Sequence, residues 1–202
     1  LYTGGKILPL DTDAACEAMA VRDGRILYAG SEEDVRTAAG KDAEVFDLKG
    51  DVLMPSFIDA HSHQDVIVEE YPECICAVEQ GITTQITGMC GDSAAPVSPR
   101  HIDDALRIIS SLEGGTLPSP VENRFTFGGY LDHIDKPLGT NMAFLVGHGM
   151  IRAAVMGFEN RKPTAYETEQ MKALVQQAMD GGAFGISFGL IMLMCHKVTY
   201  KN

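Results

Sequence analysis

The chain has 202 residues, with 16 Lys and Arg against 28 Asp and Glu and a formal net charge of −12. Phosphate backbones call for concentrated Lys and Arg, which argues against nucleic acid as a partner, and 45% hydrophobic with 22% charged residues is not the composition of a disordered chain. Apolar runs break well before the roughly 18 residues of a membrane span and Leu1-Tyr2-Thr3-Gly4-Gly5 lacks a signal peptide's basic start, so a soluble, cytoplasmic chain that binds neither nucleic acid nor membrane is expected.

Residues 1–51 read as a small β-rich module. Lys6-Ile7-Leu8, Ala18 to Val21 and Arg25 to Ala29 are strand candidates, and Asp23-Gly24 between the last two is a hairpin turn signal. Ser31 caps a short helix to about Ala39, Glu44 to Leu48 is a further strand, and Lys49-Gly50-Asp51 turns the chain. From Val52 strands alternate with longer helical patterns, which implies βα units on a parallel sheet. The expected strands are Val52 to Ala60, Ile82 to Gly88, Ala143 to Gly147 and Ala183 to Phe188. The expected helices run from Pro72 to Gln80, from the Ser98-Pro99 start to Gly114, around Tyr130-Leu131, and from the Thr164…Glu167 capping box to Asp180.

Asp59-Ala60-His61-Ser62-His63 stands at the end of the first of these strands. Strand side chains alternate with period two, so both imidazoles point to one side and can grip one metal ion. A bare His-x-His is common, and hydrogen bonding at a strand end is the simpler explanation of it; the position favours a ligand pair, since parallel βα folds place their sites at strand carboxyl ends. Cys90 ends the second strand, and a thiolate beside two imidazoles is a good donor set for Zn²⁺, against the alternative of a small buried thiol. His148 ends the third strand with Arg152 four residues on; it could be a further ligand, but glycines on both sides suggest close backbone approach rather than rigid ligand support, so His148 and Arg152 read first as substrate contacts or as groups that support the ligands. His101 and His133 read as surface residues, and the five cysteines as reduced thiols, with Cys74 and Cys76 in or near the core.

Two stretches carry a family resemblance. Leu1 to His63, with Ala20-Val21-Arg22-Asp23-Gly24-Arg25-Ile26 and Met54-Pro55-Ser56-Phe57-Ile58-Asp59-Ala60-His61-Ser62-His63, resembles the opening of the amidohydrolase superfamily of metal-dependent hydrolases. Gln80 to Leu190, with Gly88-Met89-Cys90-Gly91, Asn141 to Gly149, Arg152, Arg161 and Gly182 to Leu190, resembles the N-acyl-D-amino-acid deacylases, or D-aminoacylases. The resemblance implies an α/β fold: a (β/α)₈ TIM-type barrel, of which residues 52–190 supply about the first four βα units, preceded by a small β-sandwich segment, 1–51. It implies a zinc site of one or two ions with His61, His63 and Cys90 at ligand positions, and a small-molecule N-acyl amino acid as partner. In such enzymes a metal-activated water attacks the amide carbonyl, and an aspartate from the eighth strand moves the proton to the leaving amine.

The pattern stops short of the rest of that machinery. The family's two later histidine ligands and its aspartate would lie beyond Leu190, whereas no Asp or Glu follows Asp180, the only later histidine is His196, and 191–202 is an atypical tail faintly similar to a closing sandwich strand. An incomplete chain is expected, with the catalytic aspartate not among its residues. Three readings follow: a deacylase of N-acyl-D-amino acids, a non-catalytic half-barrel that binds metal, and an amidohydrolase for a cyclic amide of the dihydroorotase kind. A half-barrel has uncovered strand edges, so self-association or a homo-oligomer is expected.

Overall fold

In the computed structural model, which describes residues 1–113 and 117–189, the chain opens on β1 (Tyr2–Thr3) and β2 (Lys6–Ile7), followed by a hairpin of β3 (Ala18–Arg22) and β4 (Arg25–Gly30). Asp23 and Gly24 take φ of 51° and 72°, the left-handed pair that a type I′ turn needs to match strand twist. Helix α1 (Glu32–Ala39) starts where the sequence places it: the Ser31 hydroxyl accepts from Asp34 N at 3.3 Å, and Glu32, Glu33 and Asp34 oppose the positive end of the helix dipole. β5 (Phe46–Asp47) and β6 (Val52–Leu53) complete two sheets, ordered β4-β3-β1-β5 and β2-β6. Leu1, Ala18, Ala20 and Val35 form their core.

The expected strand from Val52 to Ala60 is two strands. Val52 and Leu53 pair with Lys6 and Ile7, whereas β7 (Phe57–Asp59) joins a different sheet. Pro55 lies between them, and a residue without an N–H cannot carry a ladder across. The chain divides into Leu1–Ser56 and the part from Phe57 onward, so Val52 to Ser56 go with the first unit and not with the βα units.

The second unit continues with α2 (Gln64–Ile67), α3 (Ile75–Val78), β8 (Ile82–Thr87), α4 (Ile102–Glu113), a 3-10 turn at Val121–Arg124, α5 (Phe127–His133), β9 (Asn141–Gly147), α6 (His148–Met156), α7 (Ala165–Asp180) and β10 (Gly185–Ser187). Strands β7, β8, β9 and β10 lie side by side in chain order and all parallel, a curled half-barrel sheet. Sequential order brings all four carboxyl ends to one edge in succession. Helices cover one face, packing Val66, Phe127, Tyr130, Met150 and Ile151 against Phe144 and Val146.

Several element bounds differ from the sequence reading. Ser98 spends its groups on a turn: its hydroxyl accepts from Arg100 N and its carbonyl from His101 N, so α4 begins at Ile102. The expected end of that helix at Gly114 lies outside the described residues, as do Cys195, His196 and the tail 191–202. Left-handed Cys74, φ 49°, interrupts the run from Pro72 and leaves only α3. Cys74 is buried but Cys76 is exposed.

The Thr164…Glu167 capping box is complete, with Glu167 N donating to Thr164 Oγ1 at 3.2 Å and Thr164 N donating to Glu167 Oε2 at 2.8 Å. Thr164→Ala is expected to cost about 1 kcal/mol in equilibrium denaturation. Among the described residues no helix is long and apolar enough to cross a membrane.

Candidate metal centre

The chain leaves β7 still bonded to its neighbour: Ser62 N donates to Ile86 O at 3.0 Å, and Asp59 Oδ1 accepts from His61 N at 3.1 Å. The chain bends at Ala60 and His61 while staying bonded to β8, and this brings the His61 and His63 rings together, 5.8 Å apart and edge to face. At the end of β8, Cys90 Sγ lies 3.3 Å from His61 Nε2. One donor atom from each of His61, His63 and Cys90 falls within 4.8 Å of the others, the only such cluster of three among the described residues.

The donor set and spacing fit a zinc ion. Bond lengths of about 2.3 Å to sulfur and about 2.0 Å to nitrogen at a tetrahedral angle put the two donors about 3.5 Å apart, close to the sulfur–nitrogen distance found. His63 Nδ1 is buried without a hydrogen-bond partner, an orphaned polar atom of the kind that a ligand site leaves. His61 is exposed, and His63 and Cys90 are half-buried, so the cluster can be reached.

Cys90 has φ 59°. A non-glycine residue there costs of order 1–3 kcal/mol and persists only when its surroundings over-determine it. They do: Gly91 N donates to Ser187 Oγ at 3.0 Å, Ser187 Oγ donates to Gly88 O at 2.5 Å, and Gly149 N donates to Gly91 O at 2.7 Å. The strand ends meet backbone to backbone here, as the glycines around His148 suggest, since a Cβ on Gly147 would lie 2.4 Å from Gly91 O.

His148 and Arg152 stand on a helix, α6, that sequence reading missed. His148 is its first residue, stacks on Phe188 with ring centroids 5.1 Å apart, and has Nδ1 buried without a partner. Burial, with the Arg152 charge, holds its proton affinity below the ordinary histidine value, so the ring is neutral at neutral pH. It is not in the three-residue cluster. Arg152 turns to the loop that follows α6, donating to the carbonyls of Glu159 and Arg161 at 2.9 and 2.8 Å and to Met156 Sδ at 3.0 Å.

Buried charge near the centre escaped the sequence reading. His133, exposed as expected, places Nε2 2.8 Å from the buried Glu69 Oε1, and His101, expected at the surface, is half-buried and lies 3.8 Å from Asp104. Glu69 also pairs with Arg124, which is fully buried, donates to Ala94 O at 3.3 Å and lies 4.7 Å from the Tyr130 ring centroid. Asp65, buried on α2, faces the Cys90 loop.

Asp92 is 4% exposed, and burial, then the nearby Asp65, pushes its pKa up to about 6. A carboxyl whose folded pKa is raised stabilises the fold below its unfolded pKa and loses that contribution as pH rises to the folded value. Asp92→Asn is therefore expected to be more stable than the natural chain at pH 7 and to lose that advantage near pH 4, as urea denaturation at the two pH values would show.

No family profile matches the chain. It is 39% identical to N-acyl-D-aspartate deacylase of Alcaligenes xylosoxydans xylosoxydans over 172 residues, 85% of this chain and 32% of that protein. It is 35% identical to D-aminoacylase of the same organism over 205 residues, 100% of this chain and 40% of that protein. The chain thus spans about a third to two fifths of these relatives. A crystal structure of D-aminoacylase, described as defining a novel subset of amidohydrolases, superposes with a TM-score of 0.74 at 31% identity, covering 93% of this chain and 38% of that one. N-acyl-D-glutamate deacylase from Bordetella bronchiseptica, solved with zinc and a phosphonate mimic of the tetrahedral intermediate, gives a TM-score of 0.71 at 32% identity over 94% of this chain and 38% of that one. A half-barrel with two histidines and a cysteine at adjacent strand ends, and this breadth of likeness, make the chain a relative of the N-acyl-D-amino-acid deacylases in the amidohydrolase superfamily.

Proposed function

We propose that the chain forms the metal-binding part of a zinc-dependent hydrolase that cleaves the amide bond of N-acyl-D-amino acids. The observation that carries this reading is the convergence of donor atoms from His61, His63 and Cys90 within 4.8 Å: two imidazoles and a thiolate suit zinc, and a three-ligand set leaves a coordination position open. The names of the relatives support the substrate class. In this reading β7 to β10 are the first four strands of a (β/α)₈ barrel, and residues 1–56 belong to a sandwich part.

When bound, zinc supplies Lewis acidity to the scissile carbonyl and to a water nucleophile. His61, His63 and Cys90 would hold it. His148 presents a neutral ring with one unpaired nitrogen and serves as a hydrogen-bonding group for substrate or for a neighbouring ligand; Arg152 acts on it at one remove, by tying the loop after α6 and by disfavouring its protonation.

A full-length protein containing this chain is expected to carry zinc and to hydrolyse N-acetyl-D-amino acids and not their L enantiomers. A zinc-free chain of full activity would sink the reading, and a panel including cyclic amides separates it from the dihydroorotase-like alternative. A second reading has its own support: no further histidine or carboxylate joins the triad among the described residues, which suits binding of metal without turnover. Zinc at about one ion per chain with no hydrolysis of any substrate selects it.

The same reading leaves sheet edges and large apolar side chains such as Phe57 and Phe184 uncovered, 55% and 74% exposed, so the 202-residue chain is expected to self-associate. A monomer in light scattering would count against that.

A further inference from the structure

We propose that Asp65 is a positioning residue: it joins the segment that carries His63 to the loop that carries Cys90 and thereby sets the spacing of the metal ligands. The consequence for metal rests on the metal reading above; the geometry does not.

Asp65 lies two residues past His63, in the first turn of α2, and is 4% exposed. Its Oδ1 accepts from Thr87 Oγ1 at 2.8 Å and from Gly88 N at 3.2 Å, and its Oδ2 accepts from Ala94 N at 2.7 Å. Two of these donors precede Cys90 and the third follows it. One carboxylate thus clamps both ends of the 88–94 loop, in which Cys90 sits at positive φ. The clamp is itself braced, because the Asp65 carbonyl accepts from the Tyr130 hydroxyl, Tyr130 lies against the Arg124 guanidinium, and Arg124 Nη1 donates to Ala94 O. Ala94 is therefore held at both its N–H and its carbonyl.

Residue type follows from the count of donors. Three donors converge on one side chain, all neutral, and only a carboxylate has acceptor capacity on both oxygens to meet them. Asparagine would keep one oxygen for Thr87 and Gly88 but turn an NH₂ toward Ala94 N–H; alanine would leave three donors unmet. Burying a carboxylate without an opposite charge on it is costly, and what this one secures is the placement of a single loop.

The test uses the 202-residue chain and its Asp65→Ala, Asp65→Asn, Thr87→Val and His61→Ala variants. Three readings are taken from each: affinity for Zn²⁺ and Co²⁺, the thiolate-to-cobalt charge-transfer band per bound ion, and amide hydrogen exchange across 88–94. Asp65→Ala is expected to lower affinity 10- to 100-fold, the range for groups that orient ligands without touching the metal, and to weaken the band; Asp65→Asn falls between, and Thr87→Val loses least. Exchange should rise in the same order, whereas His61→Ala abolishes tight binding with no rise.

Natural affinity and an unchanged band in folded Asp65→Asn and Thr87→Val overturn the proposal. If Asp65→Ala does not fold by circular dichroism, the graded loss in the other two supports it and its absence refutes it. A natural chain that takes up no cobalt defeats the metal reading, and exchange at 88–94 then decides by itself whether Asp65 holds the loop.

Discussion

Cys90→Ser is expected to weaken zinc binding by more than 100-fold, and His61→Ala and His63→Ala by as much. The bound follows from the ranking of effects: loss of a group that merely orients a ligand costs 10- to 100-fold, so loss of a ligand that contributes the thiolate charge costs more. Serine keeps the volume of Cys90 and leaves the backbone bonds of Gly91 to Ser187 and Gly149 in place, so the change isolates the donor atom. Cys76→Ser, at an exposed cysteine on α3, should leave affinity as it is. Equilibrium dialysis with metal analysis measures both. Zinc held equally well by Cys90→Ser would remove cysteine from the ligand set, and a fall on Cys76→Ser would point to a different site.

Arg124→Ala should destabilise the fold by about 3–5 kcal/mol, the cost of removing one partner of a buried ion pair. Arg124 has no exposed surface, pairs with Glu69, donates to Ala94 O and stacks near Tyr130. Truncation strands the Glu69 carboxylate, 4% exposed, with half-exposed His133 as its remaining side-chain partner, and opens a cavity. Because the cost is that of a stranded charge, Glu69→Leu combined with Arg124→Met should recover most of it. Urea denaturation of the three variants distinguishes the outcomes; a double variant as unstable as Arg124→Ala would assign the loss to packing alone.

Local signals were legible where local chemistry decides the structure. Asp23-Gly24 makes its turn, Ser31 and Thr164 cap their helices, and His61 and His63 come together as the spacing predicts, with the Ser62 N–H between them bonded to β8. The proximity of Cys90 to His61 was legible too, since both end adjacent parallel strands. Helix α6 was hidden by the glycines at 147 and 149, which serve a close backbone approach and a helix start at once. Asp65, Glu69 and Arg124 carry no local signal in a sequence that is 22% charged, because what buries them is remote along the chain: Thr87 lies 22 positions from Asp65, and Arg124 lies 55 from Glu69. The break at Pro55 was written in the sequence, but an apolar run on both sides masked a change of sheet.

The hydrogen bond from Gly91 N to Ser187 Oγ spans 96 positions of chain, and that separation is also a delay in time. At about 5–20 residues per second, roughly 5–20 seconds pass in synthesis between the appearance of the Cys90 loop and that of the serine that braces it. During that interval a nascent chain offers its two histidines without a fixed thiolate. On the metal reading, firm capture of an ion would wait until β10 has docked, and a ribosome stalled before Ser187 would hold a chain with the same ligands and a loose grip.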